Sequence, residues 1–394
     1  MSKVLISFLG KVRRKEGSYD KTKYRFDSGD IEETRYFGQA LTRQLRPDRM
    51  VMLGTSGSMW DVFFDDIGQG NEFIEERLAI VDEVDGNRVG EERLQGLTPL
   101  LEKSLETPCR LRIIPYGRDS KEQTRILEIL ASEVQERDEV FIDLTHGFRI
   151  LPMLGLLSAL YLQTVKKARI GGLYYGAYDM RDGGNEAPVL RLDGLLSIAD
   201  WIGAVDRYDQ SGNYGVFADL LGADNPGSPV ETLKKAAFYE RTSNSAQARD
   251  QVSTFHGWFK DAQDLPPAAN LFREALEARI SWFKEKDRAA REERLALDYL
   301  KRKDYLRAAI YGFEALVTRR CLEERMFPDN YDDREKADIS LRSKSEFNIL
   351  KALRNSMAHG ISPKDANIKR ALESEENLRR ELEKLFKNLG ISKR

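Results

Sequence analysis

The 394-residue chain is poor in the residues that build disulfide frameworks and metal centres. It contains two cysteines, Cys109 and Cys321, and three histidines. Two cysteines so far apart cannot make a disulfide framework, and neither has a second cysteine nearby for a metal knuckle. Because no group of Asp, Glu or Cys stands at ligand spacing, a protein-held metal has little support. We therefore expect no metal site, and a reducing compartment.

The chain also lacks an excess of one charge and any long apolar run. Its 63 basic and 65 acidic residues nearly cancel, so any polyanion site must be a local patch, which disfavours a general DNA binder. The N-terminal apolar run is too short for a signal sequence, and no later run approaches the roughly 20 residues that span a bilayer. We expect a cytoplasmic protein without a membrane partner.

The first half of the chain alternates short apolar runs with helical periodicity. This pattern predicts a Rossmann-like α/β domain over residues 1–200, with a mostly parallel sheet and right-handed crossovers. A helix is expected from Asp30, where Asp30 and Glu33 have the spacing of a capping box. Five strands are predicted, within KVLISFLG, RMVMLG, CRLRIIPYG, DEVFIDLTHG and ARIGGLYYGAYD.

Small and polar residues follow three of these strands, where a parallel sheet binds its ligands. Glycine-rich turns of this kind suit a phosphate. Neither a G-x-G-x-x-G fingerprint nor a Walker A loop is present, which disfavours a nicotinamide or ATP enzyme. Trp60 either stacks on a base or belongs to the core, and His146 either contacts the ligand or caps a backbone group. The candidate ligand-binding residues are Gly10, Thr55, Ser56, Gly57, Ser58, Trp60, Thr145, His146, Gly147 and Arg149.

The second half of the chain shows helical patterns alone. Residues 201–265 are expected to be connecting helices, and residues 266–394 a helical bundle. On the predicted helix SEFNILKALRNSMAH, Asn355 and His359 are four residues apart and share a face, with Arg354 beside Asn355 and off the apolar stripe. Gly360 suits the left-handed position that ends a helix. By geometry alone His359 could simply be a histidine at the helix C-terminal dipole.

Two motifs resemble known families. The stretch RNSMAH (354–359) resembles the Arg-x-x-x-x-His motif of HEPN ribonucleases. DLTHGFRILP resembles a characteristic turn of CRISPR-associated Rossmann fold (CARF) domains, and GTSGSMWD falls where that family has its other ligand loop. The order of a sensor followed by a helical domain resembles the CARF-HEPN accessory ribonucleases of type III CRISPR systems. The resemblance implies a CARF domain followed by an all-α HEPN domain.

The resemblance also implies a chemistry. It is metal-independent cleavage of single-stranded RNA by the substrate's 2′-hydroxyl, with His359 exchanging the proton, Arg354 holding the phosphate, and Asn355 orienting His359 or the phosphate. The activator is a cyclic oligoadenylate, expected to be the tetra-adenylate. No cofactor is implied, and the chain is expected to form a homodimer or higher homo-oligomer.

Two other functions remain open from the sequence. One is a nucleotide-sensing regulator whose helical half recruits a partner and whose His359 is structural. The other is a ring nuclease in which Thr145 or Ser56 helps to degrade the activator.

Overall fold

The computed structural model describes residues 1–12, 14–15, 18–67, 74–181, 183–222, 228–360 and 363–392. The chain divides into two compact units, Met1–Leu196 and Ser197–Arg394. Within the described ranges, no helix combines the length and the apolar character needed to cross a bilayer.

The first unit is built on a mixed sheet with the strand order β3-β2-β8-β7-β6-β1-β4-β5. Strands β7, β6, β1, β4 and β5 run parallel, so their carboxyl ends meet at one edge. The strands are β1 (Lys3–Leu9), β2 (Thr22–Arg25), β3 (Ile31–Thr34), β4 (Arg49–Gly54), β5 (Cys109–Ile113), β6 (Glu139–Asp143), β7 (Arg169–Gly176) and β8 (Glu186–Arg191).

Helices cover both faces of this sheet. Strand β1 alternates between two cores, with Leu5 and Leu9 in one and Ile6 and Phe8 in the other, as expected for a strand buried on both faces. The expected α/β class is confirmed. The helices of this unit are α1 (Phe37–Leu45), α2 (Phe64–Ile67), α3 (Ile74–Asp85), α4 (Glu91–Leu105), α5 (Ser120–Ser132) and α6 (Ile150–Thr164).

The predicted helix from Asp30 was wrong in its first part. Residues Ile31–Thr34 form β3, which pairs antiparallel with β2. The turn between them is closed by the Phe26 N–H, which donates to the Asp30 carbonyl, and Gly29 adopts φ +90°. Here the DSGD turn signal outweighs the capping-box spacing, and the helix begins only at Phe37. The prediction also missed β8, which pairs antiparallel with β7.

The second unit is helical throughout its described ranges apart from short turns. One apolar core joins its helices, and Trp201, Phe217 and Phe255 from residues 201–265 share that core with Phe347 and Leu382. Residues 201–265, expected as connecting helices, are therefore part of the packed unit. Its helices are α7 (Asp193–Ser211, which starts in the first unit), α8 (Pro229–Arg241), α9 (Ser245–Phe259), α10 (Pro267–Ile280), α11 (Arg288–Lys301), α12 (Tyr305–Glu323), α13 (Tyr331–Leu341), α14 (Ser345–His359), α15 (Ala366–Ala371) and α16 (Glu375–Asn388).

Candidate functional site

The loop after β4 is held together by its own side chains. Ser58 Oγ accepts the Thr55 N–H (2.9 Å) and donates to the Leu9 carbonyl (2.7 Å). Trp60 Nε1 donates to the Thr55 carbonyl (2.8 Å), and the Trp60 side chain is only 1% exposed. Because its ring lies in the core, Trp60 does not offer a face to a base, and the core alternative is correct. Thr55 and Ser58 are likewise buried and shape the loop.

Two glycines, Gly10 after β1 and Gly147 after β6, let the ends of these two strands approach each other. A Cβ on Gly10 would lie 2.6 Å from the Gly147 backbone nitrogen, so a side chain at Gly10 would push the two segments apart. Gly147 adopts φ +116°, where L side chains are strained. In the β4 loop, a Cβ on Gly57 would lie 1.9 Å from Asn87 Oδ1. The predicted glycines therefore set how closely the loops pack.

The turn after β6 is anchored to its neighbours by both of its predicted polar residues. Thr145 Oγ1 accepts the Gly176 N–H (2.8 Å). His146 Nε2 accepts the Phe37 N–H (3.1 Å) at the start of α1, which requires a neutral ring, and burial lowers the pKa of His146 to about 4. The capping alternative is thus correct for His146 Nε2. These side chains position the turn.

A buried chain of hydroxyl groups and a carboxylate lies beneath this turn. The Tyr36 hydroxyl donates to Ser7 Oγ (2.6 Å), and Ser7 Oγ donates to Asp143 Oδ2 (2.5 Å). The Thr145 N–H donates to Asp143 Oδ1 (2.8 Å). Burial raises the pKa of Asp143 to about 6, against the hydrogen bonds from Ser7 and Thr145. The network joins β1, α1 and the turn after β6 into one rigid support.

Above this support, the carboxyl edge of the sheet exposes aromatic and cationic side chains. Tyr116 follows β5, and its ring lies 5.6 Å from the ring of Phe148, which is 45% exposed. The Arg118 guanidinium lies over the Tyr116 ring at 4.8 Å. Ser56 Oγ is 3.5 Å from the Tyr116 hydroxyl, and Arg149 is exposed at the start of α6. The segments after β4, β5 and β6 thus contribute to one surface, next to the close approach of Gly10 to Gly147.

Sequence reasoning missed Tyr116, Arg118 and Phe148. The predicted ligand-binding residues follow β1, β4 and β6. The segment after β5, IPYGR, also lies at the carboxyl edge of the sheet and supplies Tyr116 and Arg118. Phe148 stood inside the THGFR turn already singled out. Trp60 was the predicted base-stacking residue at this edge, whereas Phe148 is 45% exposed, Tyr116 is half-buried and Tyr178, after β7, is 44% exposed.

The second candidate site lies at the C-terminal end of α14. The helix ends at His359, and Gly360 adopts φ +63° as its C-cap, as predicted. Asn355 and His359 are exposed and Arg354 is half-buried. His359 has no hydrogen-bond partner within the described ranges, so its ring faces solvent without an intramolecular contact of that kind.

Arg354 is held by its neighbours on two sides. Its Nε and Nη2 donate to Asn355 Oδ1 (3.1 and 2.9 Å), and its guanidinium lies 4.1 Å from the centre of the Phe313 ring. Asn355 was expected to orient His359 or the phosphate; in the structure its Oδ1 accepts both hydrogen bonds from Arg354.

Helix α12 supplies the support for this arginine. Burial raises the pKa of Glu314, which follows Phe313, while the charges of Arg334 and Arg354 oppose that rise. Arg334 pairs with Glu314 and also donates to the Pro328 carbonyl (2.9 Å). Phe313 was expected only as a core residue, and Glu314 and Arg334 were not singled out, since nothing in their spacing along the chain points to Arg354.

Metal-ligating side chains do not gather in the part of the chain that the structure describes: no group of three or more His, Cys, Asp or Glu is found there.

Comparison with known proteins places the first unit. Residues 4–179 match the family described as CRISPR system endoribonuclease Csx1, CARF domain. The chain is 26% identical over 313 residues to CRISPR-associated protein MJ1674 of Methanocaldococcus jannaschii, an alignment covering 73% of this chain and 49% of that protein. The chain thus spans about half the length of the curated relative that it matches.

A solved structure, Enterococcus italicus Csm6 bound to cyclic hexa-2′-fluoro-hexa-dAMP, aligns over 100% of this chain and 96% of that one. The TM-score is 0.37 and the identity 12%, too low to transfer a ligand or an activity. Residues 4–179 therefore resemble a Csx1 CARF domain, and the aligned part of the chain resembles a CRISPR-associated protein.

Proposed function

We propose that the chain is a cyclic-oligoadenylate-activated, metal-independent endoribonuclease of the HEPN type, acting on single-stranded RNA in type III CRISPR defence. The observation that carries the proposal is the group formed by half-buried Arg354 and exposed Asn355 and His359 at the open end of α14, in the same chain as a CARF-like domain. Residues 266–394 would form the HEPN domain.

The side chains of α14 suit transesterification of RNA. The 2′-hydroxyl of the substrate attacks the adjacent phosphorus, the 5′-oxygen of the next nucleotide leaves, and a cyclic 2′,3′-phosphate forms. Histidine side chains can act as general acids and bases, and such catalysis typically contributes about 10²- to 10⁴-fold. Arg354 stays charged and presents a planar fork to the phosphate oxygens as negative charge develops. Asn355 holds that fork in place.

The carboxyl edge of the sheet would bind the activator. Backbone N–H groups of the turns at Gly10, Gly57 and Gly147 suit its phosphates, and Tyr116 and Phe148 suit its adenine rings. Arg118 and Arg149 add positive charge at this edge. Binding that favours one arrangement of the assembled protein would then shift the population of active HEPN sites.

The direct test is an RNA cleavage assay in EDTA. Labelled single-stranded RNA is incubated with the protein alone and with cyclic tri-, tetra- or hexa-adenylate, and both RNA and activator are followed. We expect cleavage that depends on one ring, the tetra-adenylate, and products that end in a cyclic phosphate. No cleavage with any ring would contradict the proposal, and loss of the activator with intact RNA would indicate the ring nuclease.

Replacing Arg118 or Arg149 with alanine should raise the Kd for the activator about ten- to a hundredfold, because each charge-assisted hydrogen bond lost costs roughly 1.5 to 3 kcal/mol. Phe148→Ala should weaken binding through lost stacking. Titration of labelled cyclic tetra-adenylate measures this. The matched control is Arg125→Ala, an exposed arginine on α5 that pairs with Glu128 (3.0 Å). Equal affinity for the Arg118, Arg149 and control variants would place the ligand elsewhere.

Helix α6 supports the proposed homodimer. Its sequence, ILPMLGLLSALYLQT, has no charged residue. Met153 and Leu157, four residues apart on one face, are 69% and 57% exposed. A face without charges offers no electrostatic complement to an unlike partner, whereas a second copy matches it. Because α6 follows the Thr145–Arg149 turn directly, pairing of two α6 helices about a two-fold axis would bring two activator turns together.

Leu157→Glu should therefore convert the dimer into a monomer of 45.1 kDa, since two carboxylates would be buried against each other across the axis. Light scattering with and without activator measures the mass. Leu271→Glu, at an exposed leucine of α10, is the control. A wild-type mass equal to that of one chain, with activator present, would remove the dimer proposal.

A further inference from the structure

Helix α8 lines a cleft in the second unit, in the region whose role the sequence left open. The cleft, called here the α8 cleft, has a volume of about 450 Å³, within the usual range for ligand sites. It lies between α8, the turn at Asn213, and the first turn of α12. Its lining residues are Asn213, Gly215, Lys234, Ala237, Phe238, Arg241, Thr242 and Arg307.

The charge of the α8 cleft separates it from two other clefts of comparable size. Its charged lining residues, Lys234, Arg241 and Arg307, are all cations. A cleft of about 640 Å³ between α3 and α4 is lined by three glutamates and two arginines, and one of about 320 Å³ beside α11 by two glutamates, a lysine and an arginine. Of these three clefts, only the α8 cleft is lined by charged residues that are all positive, as the binding of a polyanion requires.

Acidic residues beside the α8 cleft pair with two of its three cations and, among the described residues, leave the third unpaired. Lys234 Nζ lies 2.5 Å from Asp219 Oδ1, and Arg307 Nη1 lies 2.6 Å from Asp304 Oδ2. Arg241 is exposed and has no ion-pair partner within the described ranges. One cation at the end of α8 is thus uncompensated, and neither acidic partner lines the cleft.

An exposed aromatic ring stands between the cations of α8. Phe238 is 61% exposed, and its ring lies 5.5 Å from that of Tyr239. Lys234, Phe238 and Arg241 are spaced four and three residues apart, so they share one face of the helix. The helix rise separates the Cα atoms of Lys234 and Arg241 by about 10 Å along the axis. This order of cation, aromatic ring and cation is what a strand of stacked bases and phosphates requires.

We propose that the α8 cleft binds single-stranded RNA, with a base stacked on Phe238 and the flanking phosphates at Arg241 and Lys234. The choice of RNA rests on the proposed ribonuclease function. Two cationic residues whose Cα atoms lie about 10 Å apart along the helix suit successive phosphates of a strand better than the single phosphate of a mononucleotide. The cleft would hold substrate on the same helical unit that carries Arg354 and His359, and give residues 201–265 a part in RNA binding.

Fluorescence anisotropy tests the proposal with full-length protein in a His359→Ala background, which prevents cleavage of the probe. The probe is a fluorescein-labelled oligouridylate of about 20 nucleotides. Phe238→Ala should raise its Kd roughly 5- to 100-fold, the effect expected for losing one stacked base, and Phe238→Trp should restore binding. Arg241→Ala should weaken binding and flatten its salt dependence.

Two controls match these changes elsewhere on the second unit. Phe327→Ala removes a phenylalanine that is 76% exposed on the segment between α12 and α13, and Arg325→Ala removes an exposed arginine. Neither Phe327 nor Arg325 lines the α8 cleft. Both substitutions should therefore leave the Kd for the oligouridylate unchanged. AMP is titrated as a competitor in a separate arm.

The outcomes separate this proposal from the proposed function. If the wild type cleaves activator-dependently but Phe238→Ala and Arg241→Ala bind RNA as tightly as the controls, the cleft proposal is overturned and the ribonuclease stands. If RNA binds in a Phe238-dependent way but no activator induces cleavage, the cleft proposal stands alone. Competition by AMP at concentrations near its own Kd, without Phe238-dependent RNA binding, would make the cleft a mononucleotide site and overturn the RNA assignment.

Discussion

His359→Ala is expected to abolish activator-stimulated RNA cleavage, with kcat/KM falling at least about 10²- to 10⁴-fold. The histidine ring is exposed at the end of α14 and outside the apolar core, so its loss removes the proton-transfer group without leaving a cavity. Rates are measured on labelled RNA in EDTA at saturating activator, and the unfolding temperature checks that the fold is intact.

The chain offers a close control for this change. His256, on α9, packs against the Phe283 ring at 5.1 Å and is one of only three histidines. His256→Ala should keep full cleavage. A His359→Ala protein that retains more than a tenth of the wild-type rate would contradict the proposed chemistry.

Arg354→Lys tests the geometry of the same site. Lysine keeps the charge but loses the planar fork that Asn355 holds and that stacks over Phe313. We expect kcat to fall more than tenfold while the affinity for the activator is unchanged, since the activator would bind the first unit. Asn355→Ala should show a smaller loss, because it releases the arginine without removing it.

Mixing chains shows whether two copies share one active cleft. One chain supplies a single arginine and a single histidine of the motif. If two copies line one cleft, mixed dimers of His359→Ala and wild type carry a damaged site, and activity should fall below the fraction of wild-type chains. Activity strictly proportional to that fraction, with subunit exchange confirmed, would mean that each protomer cuts alone.

Glu240→Gln is expected to stabilise the protein at pH 8 by about 3 kcal/mol and to change it little at pH 4.5. Glu240 is fully buried on α8, in contact with tyrosines of α11 and α12. The Tyr299 hydroxyl donates to its Oε1 (2.8 Å), and the Tyr311 hydroxyl to its main-chain carbonyl (2.5 Å). Its Oε2 accepts no hydrogen bond within the described ranges, and the Tyr214 hydroxyl buried beside it is also unpaired.

Burial raises the pKa of Glu240 from 4.5 to about 7, against the hydrogen bond from Tyr299, the Tyr214 hydroxyl beside it and the charge of Arg302, while the charge of Asp298 adds to the rise. Between pH 4.5 and about 7, the Glu240 carboxyl keeps its proton in the folded state, whereas the same carboxyl has lost its proton in the unfolded state. The stabilisation is complete below pH 4.5 and is lost as pH rises through about 7. A glutamine imitates the protonated acid, and its amide can donate to the Tyr214 hydroxyl.

Calorimetry on the full chain from pH 4.5 to 8 measures this difference. The shift in Tm at pH 8 should be roughly 2 to 4 °C for each kcal/mol. Asp143, with its own raised pKa, contributes to the pH dependence of both proteins, so the difference between variant and wild type isolates Glu240. Glu335→Gln, at an exposed position of α13, is the control. Parallel curves of Tm against pH for variant and wild type would show that Glu240 is ionised in the folded protein.

The sequence by itself determined the features that depend on neighbours along the chain. Short apolar runs and the turns after them located β1, β4, β5, β6 and β7, because a strand buried on both faces needs an unbroken apolar stretch. The glycine that ends α14 and the exposed position of His359 followed from helical spacing and the left-handed preference of glycine.

Only the tertiary structure decided what depends on contacts between distant segments. Residues 31–34 form a strand paired with β2, although the spacing of Asp30 and Glu33 predicted a helix there. The Trp60 ring is buried, and its indole N–H donates to a carbonyl of the same loop. His146 became an acceptor for α1, a segment 109 residues away in sequence. The α8 cleft depends on α8, α12 and the turn at Asn213 meeting in one core. The spacing of residues along the chain determines which side chains share one face of a helix or strand. Which of these faces pack against each other depends on the packing free energy summed over the whole unit.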